Sequence, residues 1–123
     1  MSYSLIKVKK VKIRGKYEEI DASIAKYIRE LNSIGIPTRW SCSAMRRDGH
    51  RGNEYSYLVF LTKNSRYRSC LLKSAKKSNT TKIDSGYPDS ELALFKKYST
   101  DVNIDAWFAK LLDQIKKNGC NNL

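Results

Sequence analysis

The apolar residues of this chain change their period at one sharply marked point. Ile20, Ile24, Tyr27, Ile28 and Leu31 recur three and four apart, Asp21 stands near the start of the run, and Gly35 followed by Pro37 stops it. The spacing predicts a helix over 21–34. Directly beyond, PTRWSC reads as a short strand, and EYSYLVFLT as a second strand rich in aromatic and branched residues. The eleven residues from Ser43 to Asn53 then form the connection of a hairpin. A helix cut by glycine and proline and followed by two strand-like segments commits the chain to mixed α and β structure.

The flanking segments extend this pattern. SLIKVKKVKIR alternates apolar and cationic residues, with Ile6 and Val8 in one phase and Val11 and Ile13 in the other, so the slip at Lys9-Lys10 predicts a bulge or two short strands. Asn64 or Ser65 is placed to cap a helix carrying Tyr67, Cys70, Leu71 and Leu72 and ending in KKSNTT, and Thr80 to Ser85 reads as a further strand. Gly86, Pro88 and Asp89 mark a loop, and SELALFKKY has short helical character. In the last helix Ile104, Trp107, Phe108, Leu111, Leu112 and Ile115 form an apolar face, closed by Lys116, Lys117 and Gly119. Trp107 and Phe108 read as core anchors. The expectation is a single α+β domain over residues 1–123 in a βαββαβ-like order, the ferredoxin-like or split βαβ arrangement, with one or two additional C-terminal helices. Such an order puts helices on one face of an antiparallel sheet and leaves the other face open.

Charge narrows the function. Lys and Arg number 24 against 12 Asp and Glu, and residues 1–83 hold nineteen of the basic groups but only six of the acidic ones. No acid occurs between Met1 and Tyr17 or between Tyr55 and Ile83. Such a field attracts phosphate backbones or anionic lipid, unless it is a generally basic surface that aids solubility. No clear amphipathic basic helix or acylation signal points to lipid, and no apolar run has the length of a membrane span, so nucleic acid in a cytoplasmic setting is the expected context and a membrane is not. The three widely separated cysteines, an odd count, argue against a disulfide framework and for a reducing compartment. With no CxxC or HxxxH pair, no metal site is expected.

The candidate grip lies in MRRDGHRGNEYSYLVF, residues 45–60. Its connection carries Arg46, Arg47, His50 and Arg51, suited to phosphate, and its strand carries Tyr55 and Tyr57. Arg39, Trp40 and Lys63 complete the candidate set, Trp40 joining if it faces outward. Tyr55, Tyr57, Val59 and Leu61 share one face of the strand, while Ser56, Leu58 and Phe60 share the other. Leu58 and Phe60 are expected in the core, leaving the two tyrosines as an exposed stacking platform or a second packed face. Tyr55 to Phe60 resembles the aromatic half of the third-strand signature of RNA-recognition motifs, and Arg51-Gly52 resembles its basic half, with Asn53-Glu54 between them. The first strand, Leu5 to Ile13, lacks the aromatic partner of that signature. The resemblance implies single-stranded nucleic acid, DNA or RNA, as ligand.

Two further resemblances point the same way. Ile20-Asp21, Ile24, Ile28, Leu31-Asn32-Ser33, Thr38 and Ser41-Cys42-Ser43, with LLKSAKKSNTTKIDSG downstream, resemble the tRNA wybutosine-synthesising methyltransferases over residues 18–86. That resemblance implies tRNA modification, with Ser41, Cys42 and Ser43 lining a site for S-adenosylmethionine. Ala44-Met45 stand where the family has Gly-Arg. Arg46, Arg47 and Arg51 ahead of Tyr55, Phe60, Leu61 and Lys63 are similar to the C-terminal region of primase large subunits, which implies an accessory subunit holding nucleotide phosphates or a primer end, with a protein partner in a larger complex. Catalysis by this chain alone has thin support: no third group is evident to orient Cys42 and His50 as a nucleophile and base.

Overall fold

The computed structural model of the chain describes residues 8–13, 15–21, 24–42, 55–84, 90–97 and 104–123. It begins with a hairpin of β1 (Val8–Ile13) and β2 (Lys16–Asp21), in unbroken antiparallel register from Val8 opposite Asp21 to Ile13 opposite Lys16. Gly15, at φ +82°, provides the left-handed conformation that a two-residue connection needs. The bulge or break expected at Lys9-Lys10 does not occur. Val11 and Ile13 are buried, Lys10 and Lys12 are exposed, and Lys9 shares the inward face but sits beyond the core's edge.

The first helix is shorter than 21–34. It is α1, Ala25–Ser33, and Ile20 and Asp21 belong to β2, where Ile20 is buried next to the exposed Glu19 in strand alternation. Its end is encoded as expected: Ile36 N–H bonds Leu31 O at 2.9 Å and Gly35 N–H bonds Asn32 O at 3.2 Å around Gly35 at φ +87°, a Schellman closure with Leu31 and Ile36 both in the core. Asn32 then ties the helix to the next strand. Its Nδ2 donates to Ile28 O and to Thr38 Oγ1, and its Oδ1 accepts from Thr38 N–H.

Thr38–Cys42 is β3, and β4 is Tyr55–Leu61. The helix α2, Ser65–Lys77, is capped by Asn64, whose Oδ1 accepts from Tyr67 N–H at 2.9 Å. A short β5, Lys82–Asp84, follows. SELALFKKY, expected to be helical, is instead strand β6, Glu91–Lys97, paired along its whole length with β4 and on its other edge with β5. Its Glu, Leu, Ala and Lys favour a helix locally, but the pairing on both edges and the burial of Leu92 and Leu94 override that preference. The last helix, α3 (Ile104–Lys117), ends at Gly119 with φ +69°, and a 3-10 turn covers Cys120–Asn122.

These elements make an α+β fold with a two-stranded and a four-stranded sheet, the latter antiparallel in the order β3-β4-β6-β5. The order β-α-β-β-α-β is present as β2-α1-β3-β4-α2-β5, but the pairing departs from the ferredoxin-like arrangement. The strand before α1 stays in its own hairpin, and β6 occupies the place between β4 and β5. One face of the larger sheet, through Leu58, Phe60, Leu92 and Leu94, joins the apolar faces of the three helices and Val11, Ile13 and Ile20 of the hairpin in a single core. Trp107 and Phe108 sit in that core with rings 4.9 Å apart, and Trp107 Nε1 donates to Thr80 Oγ1.

The cysteine expectation is overturned. Cys70 of α2 and Cys120 of the terminal turn form a disulfide, with Cα atoms 5.6 Å apart. Fifty residues separate them in the chain, but α3 packs along α2 and returns the terminal turn to its middle. An odd count with wide spacing carries no information about such a return, and the cysteines no longer indicate a reducing compartment.

Candidate nucleic-acid interface

The sheet face turned away from the helices is built by cross-strand register. Directly opposite residues of antiparallel strands point to the same side, so Tyr55 faces out with Lys97, Tyr57 with Phe95, Val59 with Ala93 and Leu61 with Glu91. On β5, Lys82 joins Phe95 and Asp84 joins Ala93. Val59 and Ala93 are buried yet stand outside the main core, which makes a small apolar floor for this second face.

At one end of that floor three half-buried rings converge. Phe95 meets Tyr55 edge-on at 6.1 Å between centroids and Tyr57 at 6.2 Å with a 50° tilt. Lys82 Nζ lies 5.6 Å from the centre of the Phe95 ring, and Lys97 is exposed beside Tyr55. The opposite end is acidic: Glu91 and Asp84 lie there, and Arg39 Nε reaches across β4 to Glu91 Oε1 at 3.1 Å. The face thus runs from an acid, ion-paired end to an aromatic, cationic end. Cys42 and Tyr55, which flank the connection 43–54, both lie at the aromatic end.

The candidate residues are therefore distributed unevenly. Tyr55 and Tyr57 are brought together on one face, partly exposed, and Leu58 and Phe60 are buried on the other. Arg39 is half exposed but engaged by Glu91, at the far end of the face from Tyr55. Lys63 lies beyond the C-terminal end of β4, where its Nζ donates to Gly35 O at 3.0 Å and sits 5.1 Å from the centre of the Tyr67 ring. Strand geometry separates it from Tyr55 by on the order of 20 Å. Trp40 stands opposite Val59 and Cys42 opposite Tyr57 in backbone register, and Ser41 shares a face with Leu58. Arg46, Arg47, His50, Arg51 and Ser43, and the side chains of Trp40 and Cys42, lie outside the described residues.

Phe95, Lys82 and Lys97 are the residues that sequence reasoning missed. Reading 90–98 as a helix removed β6 from the sheet, although the unbroken apolar run Leu92-Ala93-Leu94-Phe95 is equally compatible with a strand buried on both faces. Asn32, part of the segment resembling the methyltransferases, has a structural task here: one bond to Ile28 O within α1 and two to Thr38 that join α1 to β3.

Among the described residues, no group of three or more His, Cys, Asp or Glu is placed to hold a metal ion, and no helix is long and apolar enough to cross a membrane. An open depression on the hairpin is lined by Lys10, Tyr17, Glu18 and Glu19, whose two carboxylates suit it poorly to phosphate. No protein-family model, curated protein or solved structure matches the chain.

Proposed function

We propose that this protein binds single-stranded nucleic acid across the outer face of its four-stranded sheet. Tyr55, Tyr57 and Phe95 supply ring surfaces for unstacked bases, while Lys82, Lys97 and the arginines Arg46, Arg47 and Arg51 neutralise phosphates. The observation that carries the reading is the convergence of three half-exposed rings with two lysines on the sheet face that, among the described residues, no helix covers. A packed second core would place acids and amides sparsely and bury its rings. Here the rings keep accessible edges beside cations, an arrangement suited to stacking and charge neutralisation.

Each base stacked on a ring contributes roughly 1–3 kcal/mol. Changing Tyr57 and Phe95 together to Leu keeps an apolar floor but removes two π faces, so affinity for a labelled single strand should fall by about tenfold or more. Fluorescence anisotropy at several salt concentrations measures this, with circular dichroism to verify folding. Binding should weaken steeply with salt, and Arg46→Ala with Arg47→Ala should make that dependence shallower by roughly 1–2 in log–log slope. If the folded protein gives no salt-sensitive binding, or the leucine variant binds as tightly as the parent, the proposal fails.

A further inference from the structure

The exposed side of α2 is a strongly charged feature that the sheet-face reading does not use. The helix contains five basic residues and no acid. Tyr67, Leu71, Ser74 and Ala75 are buried, which turns Arg66, Ser69, Lys73, Lys76 and Lys77 to solvent. At 3.6 residues per turn Arg66, Lys73 and Lys77 fall within about 40° of one another and span about 16 Å along the axis. Among the described residues none of these four cations has a hydrogen bond, an ion pair or a ring contact.

Helix stability does not account for this arrangement. Lys76 and Lys77 suit the negative end of the helix dipole, but Arg66 stands in the first turn, at the positive end, with no acid beside it. Lys73 has Lys76 and Lys77 at i+3 and i+4, where like charges repel. A polyanion would relieve both strains at once. The face has no ring on which an unstacked base could lie and no apolar residue to insert into lipid, whose binding normally uses the apolar side of such a helix. Here that side is consumed by the core.

We infer that the exposed face of α2 is a second binding surface, for the phosphate backbone of duplex nucleic acid. Its cations span about five base-pair steps of 3.4 Å, and duplex bases need no stacking platform because they are already paired. The surface lies on the helical layer, while the rings lie on the opposite face of the sheet, so one molecule presents different faces to paired and unpaired strands. The inference does not require the sheet-face site.

The test uses the full chain and a labelled duplex of about 20 base pairs, titrated by anisotropy over a range of salt. Exchanging Arg66, Lys73, Lys76 and Lys77 for Gln should weaken duplex binding at least about tenfold and lower the log–log salt slope by roughly 3. A control with Lys9, Lys10, Lys12 and Lys16 changed to Gln removes the same charge from the hairpin and should lose much less. Equal loss in both variants, no loss in the α2 variant, no duplex binding by the parent, or preference for phosphatidylserine vesicles over duplex would each overturn the inference. The Tyr57→Leu, Phe95→Leu variant keeps its duplex affinity if the two surfaces are separate, so failure of the single-strand site is distinguishable from failure of this one.

Discussion

Tyr67 offers a direct test of the packing. Its side chain is fully buried, its hydroxyl has no hydrogen-bond partner among the described residues, and burial raises its phenol far above the usual range. A buried polar group left unpaired costs about 1–3 kcal/mol, whereas Phe keeps the ring and the Lys63 cation above it and leaves only a hydroxyl-sized void. Tyr67→Phe should therefore stabilise the protein by about 1 kcal/mol at neutral pH, or roughly 4 °C in Tm for a chain of this size. The pH dependence gives a second signature. An unfolded tyrosine ionises near pH 10, while Tyr67 in the fold stays protonated beyond that point, so above about pH 10 the native state binds more protons and stability falls by about 1.4 kcal/mol per unit. The contribution is fully present below pH 10 and is lost as pH climbs toward the raised value. The advantage of the Phe variant should thus widen to about 2 kcal/mol by pH 11, since other alkaline titrations are common to both proteins. Urea unfolding at neutral and alkaline pH measures both quantities. A Phe variant less stable than the parent, or a difference independent of pH, would refute the reasoning by revealing a partner for the hydroxyl.

Two further perturbations probe the links between elements. Reducing the Cys70–Cys120 disulfide opens a loop closed over a separation of 50 residues and should cost up to about 4 kcal/mol, seen as a lower urea midpoint with a thiol reductant; an unchanged midpoint would mean that the two sulfurs are not joined. Asn32→Ala removes the bonds of its amide to Ile28 O and to the buried Thr38, so a loss of about 2–3 kcal/mol is expected in the same assay, and a change below about 0.5 kcal/mol would show that α1 and β3 are held by packing alone.

The parts legible in the sequence are those encoded within a few residues. Asn64 ahead of Tyr67, Gly35 after Leu31, and the apolar face from Ile104 to Ile115 each place their signal one turn from its effect, and the three helices appear where these signals stand. The tyrosines of EYSYLVFLT were legible for the same reason, since alternation assigns their common face before any partner is known. The other half of the candidate site was not. Phe95 comes from a segment whose local preference is helical, and only pairing with Tyr57 gives it its position.

What residues 1–123 establish on their own is local: where helices start and stop, which strand positions alternate, and that the basic charge is concentrated before residue 84. Tertiary structure decided the long-range matters. It withdrew the first hairpin from the main sheet, placed β6 between β4 and β5, joined Cys70 to Cys120, and gathered Tyr55, Tyr57, Phe95 and Lys82 on one face. The physical reason is one of range. Capping and periodicity act over three or four residues, but a strand's neighbours and a cysteine's partner depend on how separate segments compete to bury the same apolar surface.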